Sequence, residues 1–238
     1  YATRIKQYKH KTTDLIGQLQ KSVKQNESLI ASRKKAMHTI ITHELRTPLT
    51  AIHGYAELMQ GNEEEKISGY ADNILQASKR MTDMLNSLLD FFRLDSGKEQ
   101  ANVRPFRLEN IAELLQTEFT QQAEAKDLKL TIECPEGIIL NGDKERIIQI
   151  CDNLLGNAVK FTNAGSVSLV ISYDGNRLTL VVEDTGTGMS AEEQQRVFGA
   201  FERLSNAATQ DGFGLGLSIV KQIVGMLGGT IRLESEKG

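Results

Sequence analysis

Asp152-Asn153-Leu154-Leu155-Gly156-Asn157-Ala158-Val159-Lys160-Phe161-Thr162 is the stretch on which the fold turns. Leu154, Leu155 and Ala158 make it the end of a core-packed helix, expected over 143–161. Asn153, Asn157 and Lys160 stand at i, i+4 and i+7 and share one face of that helix. A solvated polar face is the plainer reading, but the apolar neighbours tie the helix to a core. An amide oxygen is a hard, neutral ligand suited to Mg²⁺, an ion that keeps several waters and binds substrate phosphates. A lysine one turn on meets a phosphate as a point charge.

Outward from this helix the chain reads as mixed α/β. Strands are expected at Arg104–Leu108, Leu128–Glu133, Ile138–Asn141, Ser166–Tyr173 and Leu178–Asp184, with helices over 109–125 and 214–227. Asp174-Gly175-Asn176 between two alternating runs predicts a β-hairpin, so that part of the sheet is antiparallel. The expected class is an α+β sandwich, a mixed sheet with helices on one face.

Two glycine motifs follow. Asp184-Thr185-Gly186-Thr187-Gly188-Met189 comes directly after a strand, and its alternate glycines let the backbone approach a flat ligand closely. An aspartate at a strand end can accept a hydrogen bond from an adenine amino group. Standing alone, such a segment is only a turn. Gly212-Phe213-Gly214-Leu215-Gly216-Leu217 opens a helix, where free amides and the helix dipole suit an anion. It is not a dinucleotide fingerprint, because no parallel βαβ strand precedes it. Between the two lie Phe198-Gly199-Ala200-Phe201-Glu202-Arg203 and the polar stretch Leu204–Asp211. The latter reads as a loop able to close over a nucleotide, with Arg203 in reach of its phosphates.

Upstream the chain is helical. His43-Glu44-Leu45-Arg46-Thr47-Pro48-Leu49 pairs an imidazole with a carboxylate, a nucleophile beside its proton acceptor. Ile41, Leu45, Leu49, Ile52, Ala56 and Met59 recur at three or four, with Pro48 as an expected kink or hinge point. Gly61-Asn62 breaks the run, and a second helix is expected from Lys66 to Leu94. One such hairpin buries its apolar stripes poorly, whereas two copies make a four-helix bundle, so a homodimer is expected. The domains are then a coiled-coil signalling helix over 1–36, a hairpin over 37–94, a polar linker over 95–104, and the α+β domain over 105–238.

Composition bounds the rest. The chain has 238 residues, 39% apolar and 25% charged, as in globular proteins. Residues 1–38 carry nine Lys/Arg against Asp14 and Glu27, a net +7; the whole chain is −3, so the remainder is −10. This basic arm lacks glycine-rich or aromatic interleaving, so nucleic acid is not expected as a partner. A solvated helix face or a segment just inside a membrane fits it better. No apolar run reaches 18 residues, so any membrane contact is expected only through an upstream segment. Tyr1 stands where an initiator methionine would, which leads us to expect an excised fragment. Cys134 and Cys151 are too few for a disulfide framework and read as small buried hydrophobes in a reduced compartment. A zinc-protease reading of His43-Glu44 fails because residue 47 is Thr47, not histidine.

Taken together, these residues resemble the sensor histidine kinases of two-component systems, from about Lys35 to the C-terminus. The His43 stretch is similar to that family's H box, and Asn153 to Lys160 to its N box. Asp184, Gly186 and Gly188 match its G1 box, Phe198 and Phe201 its F box, and Gly212 to Leu217 its G2 box. Phe213 departs from the pattern, where many members carry a small hydroxyl residue. Members also continue past the point corresponding to Gly238 with a glycine-rich turn and another strand, so the last strand is expected to be missing.

The resemblance implies an autokinase. His43 would attack the γ-phosphoryl of ATP, Glu44 would take the imidazole proton, and Thr47 would position water in the reverse, phosphatase direction. Asn157 would hold Mg²⁺ with Asn153 nearby, Lys160 and Arg203 would steady phosphates, and Asp184 would read adenine. Phe161, Phe198, Phe201, Gly186, Gly188, Gly212, Gly214, Leu215 and Gly216 would shape the pocket and its lid. The phosphoryl group would pass to an aspartate of a response regulator receiver domain, separate or fused C-terminally. The chain would be the cytoplasmic part of an inner-membrane sensor. The same nucleotide motifs resemble the wider ATPase group of gyrase and Hsp90, which places a glutamate base four residues before the metal-binding asparagine. That position here is Asn153, and an amide cannot deprotonate water. A GHKL-type ATPase, or a nucleotide-binding dimeric scaffold without kinase activity, is the alternative.

Overall fold

The computed structural model describes residues 21–25, 37, 39–59, 64–202 and 213–237. Of the expected features, most of the coiled-coil arm, the Gly61-Asn62 break, Arg203, Gly212 and the Leu204–Asp211 loop lie outside these residues; residues 21–25 are helical. The chain divides into two compact units, residues 1–81 and 82–238.

The first unit contains helix α1, described over 39–59, and the start of helix α2 (Glu64–Asp95). Helix α1 runs without interruption through Pro48. The rings of Tyr55 and Tyr70 stack 6.0 Å apart, joining the two helices into a hairpin. No helix among the described residues is long and apolar enough to cross a membrane.

The second unit begins inside α2, whose last turns bury Met84, Leu88, Phe91 and Leu94 at three- and four-residue spacing. It continues with β1 (Arg104–Arg107), α3 (Glu109–Glu124), β2 (Leu128–Glu133), β3 (Ile139–Gly142), α4 (Lys144–Phe161), β4 (Gly165–Tyr173), β5 (Leu178–Asp184), α5 (Ala191–Arg196) and α6 (Gly216–Met226). β2 pairs parallel with β4, and β4 antiparallel with β5, so the sheet is mixed; β1 and β3 form a separate antiparallel pair. At the β4–β5 turn, Gly175 takes φ +94° and the Asp174 carboxylate accepts from the amides of Asn176 and Arg177. Those two bonds hold the Asp174 carboxyl below the usual carboxylate range.

The core lies between the helices and the sheet. Ile111, Leu115, Phe119 and Ala123 line α3 at four-residue spacing, and Ile147, Cys151, Leu155, Ala158 and Val159 line α4. Val167, Leu169 and Ile171 close it from alternate positions of β4. Burial pushes the Cys151 thiol up to about 12, so it packs as a small hydrophobe.

Several boundaries differ from expectation for local reasons. β1 ends at Arg107, because Leu108 turns into αR and becomes the fully buried N-cap of α3. α6 begins at Gly216 rather than 214, since Gly214 is left-handed at φ +68°. α5 was not expected, although Ser190-x-x-Glu193 carries its capping box: the Ser190 hydroxyl accepts from the Glu193 amide and the Glu193 carboxylate from the Ser190 amide.

The segment read as a linker is bound to α4. Asp143, the N-cap of α4 and only 4% exposed, accepts from the Arg146 amide with one oxygen (3.1 Å) and from the Asn102 amide with the other (2.8 Å). Glu99 pairs with the Arg146 guanidinium. One turn on, the Gln149 side-chain amide donates to Asp90 of α2 at 2.8 Å. The chain leaving the hairpin is thus fixed at the start of the helix that carries Asn153 and Asn157.

Candidate functional site

In the first unit, His43, Glu44 and Thr47 lie along α1. The His43 side chain is 73% exposed, and its Nδ1 faces Glu44 Oε1 at 3.8 Å. Adjacent helical residues diverge by about a hundred degrees, so this approach orients the ring without a close bond. With Nδ1 toward the carboxylate, Nε2 is the ring nitrogen directed elsewhere. Thr47, one turn on, donates its hydroxyl to the His43 carbonyl at 3.3 Å. His53, also on α1, is exposed and pairs with Glu57 at i+4 (3.2 Å).

The second unit brings the other motifs together on α4. Asn153, Asn157, Lys160 and Phe161 are all part-buried. The Asn153 side chain donates to the Gln149 carbonyl at 2.8 Å, and its Oδ1 lies so near Gly216 that a Cβ there would come within 2.6 Å. The start of α6 therefore rests on Asn153, and only glycine permits it. At the other end of the face, Gly186 rests on the last turn of α4. A Cβ at Gly186 would lie 2.8 Å from the Phe161 carbonyl oxygen and 2.7 Å from Asp184 Oδ1. Asp184, exposed at the end of β5, accepts from the Gly186 amide at 2.9 Å and so shapes the turn. The Lys160 ammonium stands 4.7 Å from the Phe161 ring centroid.

Gly188, left-handed at φ +63°, is in close contact with the Glu236 carbonyl. Nearby, Ser235 accepts the Met189 amide on its hydroxyl and the Gln194 side-chain amide on its carbonyl. Phe201 is left-handed at φ +63°, an uncommon state for a bulky residue, and its amide donates to the Gly214 carbonyl at 2.8 Å. Its ring meets Phe91 of α2 edge-on at 6.1 Å. Phe198 has the Lys221 ammonium 5.9 Å from its ring centroid. Leu215 is buried just before α6.

The donor set fits a nucleotide carrying a hard cation. Gly186 and Gly216 pack so closely on the two ends of one face of α4 that a Cβ at either would clash, and that face presents two neutral amides and a lysine between them. Among the described residues there is no His, Cys, Asp or Glu cluster of metal-ligating size. An amide set of this kind suits Mg²⁺ held mainly by water and phosphate oxygens.

Two participants escaped the sequence reading. Lys126 donates from the α3–β2 turn to the end of α4, and only its place ahead of a strand could have signalled it. Asp152, next to Asn153, is half-buried with Oδ1 unpartnered. Burial, and then the nearby Glu118 carboxylate, push its carboxyl up from 3.8 to about 6. A raised carboxyl favours the folded state while protonated. That contribution is complete below pH 4 and is lost as pH rises through 6. Asp152→Asn is therefore expected to stabilise the protein by about 1 kcal/mol at pH 7.5, discounted for partial exposure, and to change it little at pH 4.5. Urea melts of both forms at both pH values check this; an equal shift at both would refute it.

The family described as "His Kinase A (phospho-acceptor) domain" matches residues 33–97, and the "Histidine kinase-, DNA gyrase B-, and HSP90-like ATPase" matches 142–238. An uncharacterized sensor-like histidine kinase of Rhizobium meliloti is 32% identical over 83% of this chain and 39% of its own length. The sensor histidine kinase RcsC of Escherichia coli is 33% identical over 87% of this chain and 23% of its own. The structure of full-length ShkA in complex with AMPPNP superposes with a TM-score of 0.64 at 30% identity, over 83% of this chain and 42% of that one. The chain thus spans well under half the length of these relatives.

Proposed function

We propose that this chain, which belongs to the sensor histidine kinases of two-component systems, is the core of an ATP-dependent protein-histidine kinase with His43 as its phospho-acceptor. The observation that carries this reading is the convergence on α4: Gly216 lies against Asn153 and Gly186 against the Phe161 carbonyl. Two segments far apart in sequence thereby frame one polar face of α4.

In this reading the Nε2 lone pair of His43 forms the N–P bond as the bond from the γ-phosphorus to the β–γ bridging oxygen breaks, and ADP leaves with that electron pair. The proton on Nδ1 passes to Glu44, whose Oε1 faces it at 3.8 Å and must close to hydrogen-bond distance for the transfer. Asn157, with Asn153 beside it, would hold Mg²⁺, which neutralises charge on the phosphates. Lys160 and Arg203 steady phosphate oxygens, and Asp184 reads the adenine amino group. Phe161, Phe198, Phe201, Leu215 and the glycines at 186, 188, 212, 214 and 216 shape the pocket. Thr47, anchored on the His43 carbonyl, would orient water for the phosphatase direction.

The wider assignment follows the family. The phosphoryl group goes on to an aspartate of a response regulator receiver domain. A homodimer is supported by Leu49, Leu58, Leu75, Leu85, Leu89 and Phe92, which remain exposed along α1 and α2. The chain acts on the cytoplasmic side of a membrane sensor.

Incubation with γ-labelled ATP and Mg²⁺ tests the reading. Protein-bound label should be acid-labile and base-stable, as a phosphoramidate is. Free phosphate without protein label would favour the ATPase alternative, and acid-stable label on a hydroxyl residue would sink the proposal.

A further inference from the structure

The last four residues of a helix leave their carbonyls without intrahelical partners. At the end of α4, Ala158 is satisfied by the Thr162 amide at 3.1 Å. The next two carbonyls are taken by one side chain from elsewhere in the fold. The Lys126 ammonium donates to the carbonyls of Val159 (2.8 Å), Lys160 (2.9 Å) and, just past the helix, Thr162 (3.3 Å). An ammonium has three protons, and these three acceptors match them one for one. The charge also opposes the negative end of the helix dipole. The fourth carbonyl, of Phe161, is the one against Gly186.

Lys126 is itself held firmly. It follows the C-cap of α3, where its amide donates to Ala123, and precedes Asp127, left-handed at φ +54°, after which β2 begins. Its backbone is therefore set by α3 and the sheet, while its ammonium sets the last turn of α4. That turn carries Lys160 and supports the Gly186 loop. A neutral side chain here would leave at least two carbonyls to water and let the turn fray.

We infer that Lys126 is a positioning residue for nucleotide binding: its grip on the Val159, Lys160 and Thr162 carbonyls fixes the Lys160–Gly186 end of the site. This rests on the reading of that site as a nucleotide site.

The test uses the full chain with Mg²⁺ present, a fluorescent ADP analogue as ligand, and ATP as substrate. Lys126→Met should weaken analogue binding and raise the KM for ATP by about tenfold, the scale of a lost set of charge-assisted hydrogen bonds. The rate at saturating ATP should stay within about twofold. Lys126→Arg, which keeps charge and donors, should bind within about threefold of wild type. Amide exchange at residues 160–163 should quicken in Lys126→Met. A melting curve confirms that each variant is folded at the assay temperature; should Lys126→Met be unfolded there, Lys126→Gln takes its place with the same expectation. Unchanged affinity in a folded variant overturns the inference and leaves Lys126 a structural cap. Failure of the wild type to bind the analogue overturns instead the reading of the site.

Discussion

His43→Gln is expected to reduce stable phosphoryl incorporation by on the order of 10³-fold or more, to the background of the assay. Glutamine has no nitrogen lone pair able to form a stable bond to phosphorus, so the covalent step is lost rather than slowed. The fold should not register the change. The side chain is 73% exposed and faces its neighbour's carboxylate at 3.8 Å, a setting in which substitutions usually shift stability by under about 0.5 kcal/mol. Affinity for nucleotide should also be unchanged, because the proposed nucleotide residues all belong to the second unit. Glu44→Gln separates the two roles of the pair: it keeps an oxygen toward Nδ1 but accepts a proton poorly. A loss of about 10²-fold is expected, with steeper pH dependence. Label retained in His43→Gln, or lost equally in an exposed control such as His53→Gln, removes His43 from the role assigned to it.

Much of this was legible from periodicity and spacing, and the parts that were not share a physical cause. The helix over 144–161 could be read because a core stripe and a polar face alternate at 3.6 residues. The β4–β5 hairpin could be read because Asp-Gly-Asn fixes a turn between alternating runs. What remained hidden depends on partners distant in sequence. Lys126 looks like any surface lysine until its ammonium is seen among three carbonyls more than thirty residues away. Glu99 and Asn102 read as linker because their partners, Arg146 and Asp143, lie more than forty residues on. Short-range signals were also missed where a stronger neighbour dominated. The Ser190–Glu193 capping box lies in the shadow of the glycine motif before it, and the start of α6 is hidden because a glycine's left-handed φ, as at Gly214, cannot be read from its identity.

Gly186→Ala carries the second large effect. The added Cβ would stand 2.8 Å from the Phe161 carbonyl oxygen and 2.7 Å from Asp184 Oδ1, both inside the distance that real Cβ contacts tolerate. Asp184 can rotate away, but only by giving up its 2.9 Å bond to the Gly186 amide, the bond that shapes the turn. The carbonyl cannot rotate, since the Lys126 ammonium holds the carbonyls on either side of it. The 186 loop must therefore lift from α4. Overpacking of this kind costs about 1–3 kcal/mol, and where the strained loop is itself the ligand cradle the loss falls on binding. Affinity for the ADP analogue is expected to drop by about ten- to a hundredfold, with His43 labelling at subsaturating ATP falling in proportion. Gly225→Ala is the matched control. It lies within α6, a Cβ there meets nothing within 4 Å, and the change should leave affinity alone while raising stability by about 0.4–1 kcal/mol. Equal loss of affinity in both variants would mean that the Gly186–Phe161 contact does not shape the site. Loss confined to Gly186→Ala, with the combined Gly186→Ala and Lys126→Met chain losing less than the product of the two separate losses, would show that the rigidity of the α4 end is what makes the glycine necessary.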